Sequence, residues 1–410
     1  MKKFTTSSNP AQRIEFAHNL RGVAALSVVI CHLLGVFWLN SAAVVSIANT
    51  SIYSGEIPAV VGVVHKFSFF NYGHFGVALF FLISGFVIPF SLCKYSRLQF
   101  LTARFFRLYP TYIAGFAISA AILYFSSHYF ARPFPYSKEI VTANALIVRD
   151  LFWFPSIDGI SWTLEVEIKF YILCALISNL IIKSKIKYIL LLVVIFVLFT
   201  GATSIIADEL LKSSPAAYRF VYLGQLNFMM ITFMLIGTVF NLHIRDSIDF
   251  KTLVFSAGFL LAAFSMQWNL SIMKPGAYSG VLNYSLALGV FSFFYMAKNL
   301  KFPKPLDMLA DISYPFYVVH AMYSYVFMRI SLNYVNPYIA ILIGFGGSII
   351  LAVLLHVFIE TPSNNLGKLV ARKLEGVDLF AKLLEILKKT RCISSSTTLP
   401  PVEELPSKDV

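Results

Sequence analysis

Ten stretches of this chain are predominantly apolar over roughly 17 to 23 consecutive residues, at about 20–39, 76–93, 111–127, 165–182, 187–206, 222–241, 251–268, 280–297, 313–330 and 336–358. Wound as an α-helix, each is about as long as the hydrocarbon slab of a bilayer is thick, about 30 Å. A water-soluble domain has no use for so many. The composition agrees, with 58% hydrophobic and 13% charged residues and a mean hydropathy of +0.74. The expected fold is an all-α integral membrane protein, a bundle of about ten transmembrane helices.

The distribution of cations orients the bundle. Lys and Arg number 24 on the side of the N-terminus and 7 in the opposite loops, with Lys169 and Arg329 inside helices. The positive-inside rule then puts both termini in the cytoplasm, and most of the net charge of +13 is accounted for without nucleic acid as a partner. The basic start runs through polar residues to about Asn19, and the segment after it is long enough to span, so no signal peptide is expected. Residues 1–362 form the expected membrane domain. Residues 363–391, a basic amphipathic pattern, are expected on the inner leaflet, and the Ser/Thr/Pro-rich 392–410 to be disordered. Cys31, Cys93, Cys174 and Cys392 are scattered, without metal-ligand spacing, and no metal site is expected.

Against this apolar background a few polar residues stand out. Arg21 and His32 are eleven residues apart in the first segment, within about 20° of three whole turns, so they share one face about 16 Å apart. Measured from the segment's start, His32 falls near mid-membrane. An ionisable group there marks a functional site or is hydrogen-bonded to a neighbouring helix. The fourth segment opens on Ser161-Trp162-Thr163-Leu164-Glu165-Val166-Glu167. Its two carboxylates are about 200° apart and form no acid pair; one of them, Glu167 by depth, is expected to face the bundle, while Glu165 alone would serve the helix dipole. Ser84 and Gly85 in the second segment permit a close backbone approach, for packing or for ligand access. Arg104 and Arg107 lie on one side of a turn in an inner loop, suited to phosphate or to anchoring at the headgroups. His320 is a second imbedded imidazole, with a structural and a catalytic reading both open. Two long outer loops, about 40–75 and 128–164, have the length to cover an outward-facing site.

Taken together these residues resemble the acyltransferase-3 family of membrane O-acyltransferases over about residues 13–362. The marks are Arg21 with His32, the Leu-Phe-Phe-x-x-Ser-Gly-Phe-Val run from Leu79 to Val87, Arg-x-x-Arg-Leu-Tyr-Pro from Arg104 to Pro110, Ser-Trp-x-Leu-x-Val-Glu ending at Glu167, and Ser-Tyr-Pro-x-Tyr-x-x-His ending at His320. His18 departs from the pattern, standing where many members carry an acid that would partner Arg21, which leaves Glu15 as the substitute. The resemblance implies a bacterial inner-membrane enzyme that takes an acyl group, most often acetyl, from cytoplasmic acyl-CoA to a hydroxyl of a surface or lipid-linked glycan, with no permanently bound cofactor. It implies His32, Arg21 and Glu167 as catalytic residues. Arg104, Arg107, Ser84, Gly85, Phe86, Trp162 and His320 would bind donor or acceptor. A non-glycan acceptor such as a macrolide is the alternative within the class, and a proton-coupled transporter or flippase is the alternative outside it; an oligomer is compatible with either.

Overall fold

The computed structural model describes residues 12–297, 300 and 302–374; the second half of the expected amphipathic stretch and the expected disordered tail lie outside them. All regular elements among the described residues are helical. The long helices are α1 (Gln12–Cys31), α2 (Tyr72–Lys94), α3 (Arg97–Tyr129), α4 (Trp162–Leu176), α5 (Ile186–Ile205), α6 (Pro215–Ile244), α7 (Phe250–Leu270), α8 (Ala277–Met296), α9 (Ser313–Ser331) and α10 (Pro337–Leu355), followed by α11 (Thr361–Lys373). Each matches one expected segment or, for α11, the start of the amphipathic stretch.

Eight of the described helices are long and apolar enough to cross a membrane, and the two expected segments outside that set, α4 and α9, depart for different reasons. α4 stops at Ile177 and resumes only for the single turn Ser178–Ile182. α9 is long, but Tyr314, Tyr317, His320, Tyr323, Tyr325 and Arg329 make it too polar to face lipid, and it is buried along most of its length. The chain is a multi-pass membrane protein with α9 packed inside the bundle and α4 half in it, Ile172 and Leu176 facing outward.

Burial sorts the helices into a centre and a periphery. The most apolar stretches of α2 and α6 are 72% and 78% buried, those of α5 and the continuous α10–α11 helix 22% and 28%. Where the two central helices cross, glycine is required. A Cβ on Gly85 would stand 1.8 Å from the Met234 carbonyl oxygen, and one on Gly237 would stand 2.2 Å from that of Leu82. The backbones touch there, as small residues allow in membrane packing. Thr238 and Asn241 of α6 then donate to the carbonyls of Gly85 and Phe86 at 3.1 and 2.8 Å.

α1 does not end at Cys31. It passes through a π turn, His32–Val36, into Phe37–Leu39, so the continuous helix is about 42 Å long, more than one bilayer span. His32, expected near mid-membrane, lies instead toward one end of α2, because α1 begins nine residues before Arg21 and brings Arg21 itself to the middle. Arg21 is level with Ser84 at the middle of α2, and Cys31, beside His32, packs on Gly73 at the far end of α2. The two long loops are folded rather than free, with Ser126 donating to the Ala48 carbonyl and Tyr112 to that of Asn144.

Candidate functional site

At the face where α1 begins, a cavity of about 450 Å³ opens among α1, α2, α3 and α11. Its cations are Arg21, Lys94, Arg104, Arg107 and Lys368, set against Asp311 and Glu360. Arg104 is buried, its guanidinium over the rings of Phe100 and Tyr171 and donating to Ser91, which fixes it as part of the wall. Arg107 and Lys368 have no such clamp among the described residues. α11 closes one side, since Gly367 sits against Phe106 and Gln99 donates to the Ala371 carbonyl. His18 lines the same cavity without partnering Arg21, its Nε2 lying 3.3 Å from Asp307 and 3.4 Å from Asp311. Glu15 is exposed, and the carboxylates that act on Arg21 are those of Glu167 and Glu360.

Arg21 and Arg107 also line a second, much smaller space of about 60 Å³ deeper in the bundle, with Ser84, Thr163, Glu167 and Tyr317. It has room for only a few water-sized groups. Glu167 is held there by two hydroxyl donors, Ser84 at 2.8 Å and Tyr171 at 2.5 Å. The Thr163 and Tyr317 hydroxyls are 2.8 Å apart, and Tyr314 donates to the Leu108 carbonyl at 2.8 Å. Arg21 has neither a hydrogen bond nor an ion pair among the described residues, so its guanidinium is a free donor set where the two spaces join. A planar cation so placed suits an anion or a developing oxyanion.

Beyond Tyr317 lie the two imidazoles. The His32 and His320 rings stand 4.9 Å apart and nearly perpendicular, at 81°. His32 Nδ1 is 2.5 Å from the Tyr325 hydroxyl. His320 Nδ1 lies 2.9 Å from the Tyr317 carbonyl and 3.2 Å from that of Phe316. Carbonyls only accept, so Nδ1 carries the proton and Nε2 is left with its lone pair. That Nε2 is enclosed and has no partner among the described residues. The small chamber ends one ring short of the pair: Tyr317 lines it, and the Tyr317 and His320 rings are 5.9 Å apart.

The structure therefore brings together Arg21, Arg107, Ser84 and Glu167 around one space, with His32 and His320 as a pair just past it. Glu167 meets Ser84 and Tyr171 rather than His32. Gly85 serves the α2–α6 crossing, and Phe86 is sealed among Phe16, Phe90, Phe291 and Tyr295, so neither lines the chamber. Trp162 faces another cavity, on the far side of α4. Both acids of α4 face inward, a consequence of their 200° separation on a helix with cavities on two sides. Glu165 is 4% exposed and receives Arg149, with Nε 2.9 Å from one carboxylate oxygen as a charge contact and a terminal nitrogen donating to the other at 3.0 Å. Tyr325, Arg149 and Glu360 had no place among the expected site residues, and Tyr317 stood in the motif ending at His320 without a role. Glu360 was legible only as a charge before Pro362, and Arg149 is brought to α4 by a loop whose path has no periodicity to read.

A model of the acyltransferase-3 type, described as an acyltransferase domain, matches residues 14–357. Comparisons with curated proteins and with solved structures returned no match.

Proposed function

The chain belongs to the acyltransferase-3 family and is a membrane acyltransferase, and from that premise we propose that it carries a short acyl group, acetyl before any longer one, from acyl-CoA in the cytoplasm to a hydroxyl of a surface or lipid-linked glycan. The observation that carries this reading is the join at Arg21 and Arg107 between a cation-lined mouth and a chamber that admits only a small group.

The mouth suits the donor. CoA is a polyanion, and Lys94, Arg107 and Lys368 offer separate cations for its phosphates at the face where the cations of the whole chain concentrate. With that face in the cytoplasm of a bacterial inner membrane, donor entry needs no transport. The narrow chamber takes the thioester end, and its size favours two carbons over a long chain. Arg21 there faces the carbonyl oxygen as charge develops on it.

The imidazole pair suits the acceptor. Imidazole is the side chain whose ordinary pKa lies nearest neutrality, and His32, held by Tyr325 and faced by His320, takes the hydroxyl proton. The acceptor oxygen forms an ester bond to the acyl carbon as the carbon–sulfur bond breaks, and the proton passes from His32 to the leaving sulfur, releasing CoA as its free thiol. Glu167 orients the Ser84 and Tyr171 hydroxyls beside Arg21. Tyr317 stands between the chamber and the histidines, so the reading requires its ring to turn aside when acceptor and donor meet.

The test is thiol release by full-length protein in lipid nanodiscs supplied with acetyl-CoA and a glycan acceptor fraction. His32→Ala should lower acyl incorporation and coupled thiol release by at least about a hundredfold, the lower range for loss of a general base, with normal amounts of folded protein. Retained transfer would overturn the assignment of His32, and glycan translocation without thiol release would point to a carrier.

A further inference from the structure

On the other side of α4 from the donor chamber lies a cavity of about 880 Å³, open toward the face where α2 and α6 begin. Its walls are aromatic, with Trp153, Trp162, Tyr222, Trp268 and Tyr284 around a floor that includes Met230. Trp153 and Tyr222 meet edge to face at 5.2 Å, and Trp268 and Tyr284 do the same at 5.6 Å, so the platforms are braced.

The charges inside are already matched. Arg149 holds Glu165, and Lys169 holds Asp150. The cavity is thus electrically balanced, and an anionic ligand would have to break an ion pair to gain a cation. What its wall leaves unpaired among the described residues are two enclosed polar atoms. Asn227 is 7% exposed and donates to the Leu223 carbonyl, but neither its Oδ1 nor His74 Nδ1 has a partner among the described residues. A buried polar atom without a partner is destabilising, and a ligand hydroxyl bonded to it removes that cost.

We propose that this cavity binds the acceptor as an uncharged glycan, its C–H faces against the tryptophans and its hydroxyls donating to Asn227 Oδ1 and His74 Nδ1. A lipid chain would fill the aromatic walls and leave both atoms orphaned. A phosphorylated or acidic head would meet no free cation. The position suits an acceptor too. The first turn of α4 is the partition, with Trp162 on the glycan side and Thr163 on the donor side, bonded to the Tyr317 hydroxyl that precedes the histidines. The acyl-transfer reading above is needed only for calling this ligand an acceptor, not for the chemistry of the cavity.

Three of the four tryptophans line the cavity, so occupancy can be read directly as tryptophan fluorescence of full-length protein in nanodiscs. The probe is a mixture of neutral malto-, chito- and galacto-oligosaccharides, with the same mixture permethylated and a single-chain alkyl phosphate as comparisons. The native mixture should give a saturable change, the permethylated one none, and Asn227→Leu should weaken the response about tenfold, the equivalent of about 1.4 kcal/mol. No saturable response to the native mixture, or an equal response to the permethylated mixture or the alkyl phosphate, would overturn the assignment. Acetyl-CoA binding measured on the same samples separates the two proposals. If it persists while glycan binding is absent, the glycan site alone fails; if CoA is not bound, the donor reading fails whatever the cavity holds.

Discussion

Arg21 is the residue on which two spaces converge, and its chemistry is more specific than its charge. A guanidinium offers a planar fork of donors, whereas an ammonium in the same place is a point charge. If Arg21 faces the thioester oxygen while Lys94, Arg107 and Lys368 hold the phosphates, removing it should affect turnover more than donor binding. Arg21→Gln should lower kcat by about a hundredfold, the usual cost of one oxyanion donor, with acetyl-CoA affinity changed several-fold at most. Arg21→Lys should recover only part of the rate. Equal losses in affinity and kcat would assign Arg21 to the phosphates instead, and transfer kinetics with a direct binding isotherm distinguish the two. The face shared by Arg21 and His32 was legible from their spacing, because a helix repeats every 3.6 residues whatever surrounds it. The neighbours were not. Tyr325 reaches His32 from 293 positions away, and Glu167 turns to Ser84 and Tyr171, choices made by the packing of helices that spacing within one segment does not encode.

The crossing of α2 and α6 holds Ser84 where Glu167 meets it, and it depends on two glycines facing each other. A methyl on Gly85 or Gly237 would overlap the opposite backbone, and no side chain there can yield. Gly237→Ala should therefore destabilise the protein by about 1–3 kcal/mol or prevent accumulation, read as a lower unfolding temperature in nanodiscs. The same substitution at Gly258, where a Cβ meets nothing within 4 Å, should be silent by comparison. A Gly237→Ala protein as stable as the parent would contradict the close crossing. The sequence offered the Ser-Gly pair with packing and ligand access as equal readings. The structure divides them: Gly85 packs, and Ser84 lines the chamber. The π turn at His32–Val36 has neither proline nor charge to announce it within an apolar run, yet it carries α1 onward past His32. α4 was read as a full span from its apolar length, but the break at Ile177 carries neither proline nor glycine to announce it.

For the whole molecule, hydropathy made the all-helical membrane fold and the positions of the long helices legible, because in lipid a helix must satisfy its own backbone and therefore shows as a continuous apolar run. It could not say which runs face lipid and which face protein. α9 carries His320, Tyr317 and Tyr325 where the bundle hides them, and α5 and α10 carry the unbroken apolar surface. We propose a two-sided enzyme, with a cationic mouth on the face of the N-terminus for the donor, an aromatic cavity on the opposite face for the acceptor, and Arg21, Glu167 and the two histidines between them. Sealed vesicles holding the protein in one orientation, fixed by protease access to the C-terminal tail, test it directly by which side must receive labelled acetyl-CoA for label to reach the glycan. Labelling only when the thioester is supplied on the side of the tail is the predicted result, and labelling from the opposite side alone, or equally from both, would contradict it.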